Sequence, residues 1–419
     1  MHIKELTSEE FSGFAKSYPI YSLYQTSEYA NVMSRQYYET IYVGMVDNSG
    51  NIVAASLILV QRLKGFKYAY APRGFLLDYN DSELLKDFTK GIKRFLGRKE
   101  IIAIKISPLI IKKIVDKRNQ IIYTNSNFEN VFNSLNKLGY YHFGYNNFFE
   151  SYKPRFEAVI VLENNSIVSL FKNIKKTFRT KIRNAEKEGI KIYRGNETNI
   201  NFLFQQTKRK YPRGLKFLEE CYYQFDKSNM VDFYYAKIDT KTFLEVVQKR
   251  YQEQESITYQ INNEVINQKV TNTNKLINQK IMADNLLEKL KKQLIIATNY
   301  LKEAPEGIVV ASAMVIKHQK EVYVILDGYG ENYKQFSAKH LLYWKLIEKY
   351  SHLGYTKFNL GGITNPDLKN PKYDGLKEFK MHFGANVIEY IGDLELVTNN
   401  TLYFMYRQKQ SLIKIINKK

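Results

Sequence analysis

The chain has 419 residues, 44% of them hydrophobic and 14% aromatic, which excludes a disordered polypeptide and leaves room for two domains plus an accessory element. A formal charge of +21 favours polyanionic partners: nucleic acid, an anionic membrane surface or phosphate-rich substrates. The single cysteine, Cys221, excludes a disulfide framework and a cysteine-based zinc site. Residues 1–14 lack an apolar signal core, and no window reaches about 18 apolar residues, so an intracellular protein with at most peripheral membrane contact is expected.

In chain order, the first organisational signal is a repeat. Ile52-Val53-Ala54-Ala55-Ser56 returns as Ile308-Val309-Val310-Ala311-Ser312, offset by 256. Leu84-Leu85 returns as Leu341-Leu342 and Leu96-Gly97 as Leu353-Gly354, both offset by 257. In each copy β-rich runs precede a helix and an apolar closing strand, at 101–106 and at 357–360, so two lobes of one mixed α/β plan are expected.

Residues 172–194 form the densest basic stretch, with nine Lys or Arg against two Glu. Ile174, Phe178, Ile182 and Ala185 fall on one side of a helix that Gly189 closes. The remaining faces carry Lys172, Lys175, Lys176, Arg179, Lys181, Arg183 and Lys187, a pattern suited to a phosphate backbone. Lys208, Arg209, Lys210, Arg213 and Lys216 extend the same field.

Residues 241–302 contain no Gly or Pro and are rich in Gln, Asn, Lys and Glu. Apolar residues at Phe243, Val247, Ile257, Ile261 and Val265, then at Leu276, Ala283, Leu287, Leu290, Leu294 and Leu301, predict two helices joined by a turn at 271–274. The seam is narrow, as in a projecting antiparallel hairpin. Gly328-Tyr329-Gly330 reads as a turn, and the helix after it starts from Lys334-Gln335-Phe336-Ser337-Ala338-Lys339, which lacks the glycines of a pyrophosphate cradle.

No P-loop, zinc-protease or Cys-x-x-Cys pattern occurs, and the six histidines show no ligand spacing, so no metal or cofactor is implied.

The ordered set of Gln25-Thr26, Tyr68-Ala69-Tyr70-Ala71-Pro72-Arg73-Gly74, Asn184 to Ile190, Phe358-Asn359-Leu360-Gly361-Gly362, Phe379-Lys380 and Glu389 to Asp393 resembles the FemABX family of peptidoglycan bridge-forming aminoacyltransferases over nearly the whole chain. The resemblance implies an α/β (α+β) fold of two tandem GNAT-like acyltransferase lobes with an inserted antiparallel coiled-coil arm. The expected division is 1–150 for lobe 1, 151–240 and 304–395 for lobe 2, 241–303 for the arm, and 396–419 for a C-terminal helix packing back on lobe 1.

It also implies an aminoacyl-tRNA donor and a lipid II or other muropeptide acceptor at the inner membrane surface. The ester arrives activated, which fits the missing ATP motif. Lys380 is implied as the oxyanion stabiliser with Phe379 beside it, and Arg73, Tyr70, Arg35, Arg213, Lys216, Tyr222, Gly361 and Gly362 as substrate contacts. RNA contact falls to Lys172, Lys175, Lys176, Arg179, Lys181 and Arg183. Ser107 stands where the family has an aspartate suggested as a general base, so no dedicated acid–base dyad is expected. A tRNA-dependent transferase with another acceptor, or a non-catalytic RNA-binding protein, are the other readings the same residues permit.

Overall fold

The computed structural model describes residues 1–209, 214–267 and 273–416. Two sheets organise them, as the repeat requires. The first runs His2–Glu5, Glu39–Val46, Ile52–Leu63, Phe66–Ala71, Ile101–Ile106, Leu394–Val397 and Tyr140–His142 in spatial order. The second runs Ile190–Gly195, Val231–Ile238, Ile308–His318, Glu321–Tyr329, Lys357–Ile363, Phe156–Val161, Asn386–Tyr390, Ile111–Val115 and Ile121–Thr124.

Each sheet carries an antiparallel meander, then a helix, Ser82–Arg98 or Ala338–His352, that crosses to a parallel strand. These are the two α/β lobes that the repeat implies. The duplication extends to side chains. In the first lobe the Gln25 carboxamide is inserted beside Ser56 and under Gly74, where a Cβ would lie 2.8 Å from the Ser56 hydroxyl. In the second, Ser312 donates to Gln206 at 2.6 Å, and a Cβ on Gly328 would lie 2.6 Å from the Gln206 Cβ. Glycine is required twice because a glutamine occupies the same space.

The sheets do not divide at residue 150. Ile111–Val115 pairs with Asn386–Tyr390 in the second sheet, while Leu394–Val397 returns to pair with Ile101–Ile106 in the first. The lobes therefore exchange strands. The helix Asn400–Ile416 lies against the first sheet, where Tyr406 packs with Tyr68, Ile102 and Ala103.

The arm is the packed helix pair Thr240–Asn267 and Thr273–Glu303, anchored where Thr240 donates to the Ala304 carbonyl at 2.9 Å. Phe243, Val247 and Ala297 enter the core of the second lobe. Further out the seam differs from expectation. Ile257 is 47% exposed while Thr258, Ala283 and Leu290 are buried, and Lys280 reaches Asn262 at 2.6 Å. A partly polar seam leaves weak apolar periodicity to read. Of the turn expected at 271–274, residues 271 and 272 lie outside the described residues.

Candidate active site

In the second lobe the parallel pairing is brief, from Glu321↔Lys357 to Tyr323↔Asn359, while on its other edge the strand Lys357–Ile363 pairs antiparallel with Phe156–Val161 from Lys357 to Ile363, with a bulge between Asn359 and Gly362. Gly361 sits there at φ +80, with its N–H donated to Asn359 Oδ1 at 2.8 Å. Lys380, near the end of the helix Asp374–Met381, reaches into this bulge and donates to the Gly362 carbonyl at 2.8 Å. Gly362 is itself covered by Pro154 and Phe149. The bulge thus brings Gly361, Gly362 and Lys380 together.

Lys380 is 8% exposed. Burial pulls its ammonium down to about 8, and attraction to Asp327 opposes that fall. Asp327 itself is ion-paired with Lys339 at 2.8 Å and accepts the Tyr343 hydroxyl. Burial raises the Asp327 carboxyl, but Lys339, the Tyr343 hydroxyl and Lys380 together hold it below its usual range. Lys339 also lies 4.4 Å from the centroid of Phe379. Phe379 is half-buried and packs on Phe178, His340, Tyr343 and Phe383. An ammonium carries three donors, and the Gly362 carbonyl takes one. The others meet no hydrogen-bond partner among the described residues, an arrangement that can serve an oxyanion, for which removal of one comparable donor costs about 3–4 kcal/mol.

Residue patterns had pointed neither to Asp327 nor to Lys339 as partners of this lysine. Their only signal is position: Asp327 directly precedes Gly328-Tyr329-Gly330, and Lys339 opens the helix after that turn.

A second polar cluster joins the lobes. Arg73, 3% exposed, pairs with Glu157 at 2.5 Å, donates to the Pro154 carbonyl at 2.8 Å and stacks on Tyr390. Glu157 also accepts from Asn359 at 2.9 Å. Tyr70 and Ser107 share a hydrogen bond of 2.9 Å, and Ser107 accepts the Arg73 N–H at 3.2 Å. The register that pairs Leu394 with Ile106 brings Asp393 beside Ser107. Asp393 is buried, its carboxylate lies 3.9 Å from the Lys105 ammonium without a close hydrogen bond among the described residues, and burial raises its carboxyl to about 6 against the pull of Lys105 and Arg73.

Other expected substrate contacts scatter. Arg35 and Lys216 are exposed, Tyr222 is buried among Leu218, Cys221 and Phe225, and Arg213, with Lys210, lies outside the described residues.

The basic stretch is two helices, not one. Ile167–Asn173 ends at Ile174, whose ψ of 138° breaks the helix, and Lys176–Lys187 begins after it. Lys172 therefore belongs to the first helix and Lys175 to the joint, where its Nζ meets His382 Nε2 at 2.9 Å. Phe178, Ile182 and Ala185 face the core as expected, and Gly189 takes φ +80 past the end. Lys176, Lys181 and Arg183 are exposed, while Arg179 is half-buried. The Phe178 contact with Phe379 sets the start of this helix beside the catalytic lysine candidate.

Among the described residues no helix is long and apolar enough to cross a membrane. A family profile described as the FemAB family matches residues 6–410. Similar proteins include the aminoacyltransferase FemA of Staphylococcus epidermidis, 24% identical over 99% of this chain and 100% of that one. A lipid II:glycine glycyltransferase from the same species is 24% identical over 97% of this chain and 95% of its own. The crystal structure of FemX superposes with a TM-score of 0.73 at 20% identity, covering 97% of this chain and 99% of that one. With the profile spanning nearly every residue of both lobes and the arm, the chain belongs to the FemAB family and is an aminoacyltransferase of peptidoglycan bridge formation.

Proposed function

We propose that the protein transfers one amino acid of the Gly, Ala or Ser class from aminoacyl-tRNA to the stem-peptide amine of a peptidoglycan precursor. The observation that carries this reading is Lys380: a buried ammonium with donors to spare, beside Gly361 and Gly362, at the start of a basic helix. The neutral amine of the acceptor attacks the ester carbonyl, the carbonyl oxygen becomes anionic, and Lys380 stabilises it. Collapse expels the tRNA 3′-oxygen, and the amine's proton leaves with it.

A lysine held near its titration point suits this chemistry, because it is still charged at neutral pH yet poorly hydrated. The acceptor is proposed to be lipid II or its nucleotide-linked counterpart. Both carry a pyrophosphate, and a net charge of +21 favours them as it favours tRNA and a peripheral contact with an anionic membrane.

Purified protein incubated with tRNAs charged with labelled Gly, Ala or Ser and with either acceptor tests this. Transfer of label to a muropeptide supports the reading. Transfer only to another amine, or a requirement for coenzyme A or ATP, overturns it.

A further inference from the structure

Away from Lys380, a cleft of about 750 Å³ opens between the end of the basic helix Lys176–Lys187, the edge strand Ile190–Gly195 and the helix Ala338–His352. Its floor is apolar and aromatic, formed by Ile192, Tyr234, Leu341 and Leu346. Its rim carries Lys191, Arg194, Lys345 and Lys349; Lys191 pairs with Asp239 at 2.5 Å, Arg194 with Asp232 at 2.7 Å, and Lys345 with Glu186 at 3.1 Å and Glu348 at 3.4 Å. Lys349 lies 4.8 Å from the Tyr234 ring, with no carboxylate within ion-pairing distance among the described residues. The Tyr234 hydroxyl is buried, lines the cleft and makes no hydrogen bond among the described residues.

An aromatic floor under a cationic rim matches a nucleotide, in which a flat base and a phosphate are joined. Position argues for RNA over a lipid. The basic helix has Phe178 against Phe379 at one end and Glu186 in the cleft at the other. Its 12 residues span about 18 Å, a distance that a few unpaired nucleotides cover. Thr242, at the root of the arm, closes the cleft's far side.

We propose that this cleft holds one unpaired nucleotide of the donor RNA, set back from the aminoacylated end that Lys380 engages. The inference rests on the tRNA-donor reading. It makes the basic helix a ruler: the ester sits at one end, and a base is clamped at the other.

The test uses the full chain, a K345Q/K349Q double variant, and uncharged acceptor-stem RNA minihelices with and without an unpaired 3′ end. Lys345 makes only surface ion pairs and Lys349 makes none among the described residues, so folding should persist, and matching thermal melts check it. The expected result is about tenfold weaker binding of the minihelix with the unpaired end, and no change for the blunt one. A photo-crosslink from a thiouridine in the unpaired end should map to the strand Ile190–Gly195 in the unaltered protein.

Equal losses for both minihelices, or none for either, overturn the inference while leaving the donor reading standing. Binding of anionic phospholipid vesicles that is lost in the variant, with RNA binding intact, assigns the cleft to lipid and overturns it as well. Failure of the unaltered protein to bind either RNA sinks the donor reading itself.

Discussion

Arg73 and Glu157 meet at 2.5 Å between the lobes, the arginine from the turn after Phe66–Ala71 and the glutamate from Phe156–Val161. Both are buried, and Glu157 passes the constraint on through Asn359 to the backbone of Gly361. Removing one partner strands a charge without water, so Arg73→Ala should lower unfolding free energy by about 3–5 kcal/mol. Denaturant titration reads the loss. A variant as stable as the parent would mean the pair does not tie the lobes. Replacing both by apolar residues of similar volume should cost much less, which a double-mutant cycle would reveal.

Lys380 separates stability from catalysis. Its folded value of about 8 lies below its unfolded value of 10.5, so between the two the unfolded chain binds the extra proton and stability rises with pH. Below pH 8 the buried ammonium costs about 3 kcal/mol. Lys380→Met should therefore raise the melting temperature at pH 7 while cutting the transfer rate by about 10²–10³-fold. In the unaltered enzyme the lysine-dependent part of the rate should fall as pH rises through 8. A rate indifferent to the substitution removes Lys380 from the mechanism.

Local signals made the duplication and the arm legible. Strand alternation and helical spacing act over a few residues, and Gly74 and Gly328 mark backbone squeezed against a glutamine. The strand exchange left no such trace, because Ile111–Val115 finds Asn386–Tyr390 across more than half the chain. The break at Ile174 was hidden for the opposite reason. That residue is buried like Phe178, so it continued the apolar pattern after the helix had stopped. The partners of Lys380 and Arg73, Asp327 and Glu157, were isolated acids in sequence, and only packing makes them neighbours.

The exposed cations of the basic stretch should report phosphate contact directly. Lys172, Lys176 and Lys181 lie on the surface, so replacing all three by Gln should leave the fold unchanged. The slope of log affinity against log salt for tRNA should flatten by about two to three. A slope equal to the parent's would take the RNA off this face.

The arm provides the sharpest division between folding and binding. Phe243, Val247 and Ala297 belong to the second lobe's core, and Arg250 pairs with Glu188 at 3.3 Å beside the basic helix. Beyond these the contacts run between the two helices themselves, as where Gln254 donates to the Ala283 carbonyl. Deleting residues 254–286 and closing the gap with a short Gly-Ser turn removes mainly such contacts among the described residues. Thermal unfolding of the lobes should stay within about 2 °C of the parent, since surface changes away from the core rarely exceed about 0.5 kcal/mol. Affinity for tRNA should drop, and transfer from an acceptor-stem minihelix should persist, because the site around Lys380 draws no residue from the deleted segment. Loss of minihelix transfer in a folded deletion variant would show that the arm acts on the chemistry and not only on capture of the distant body of the tRNA.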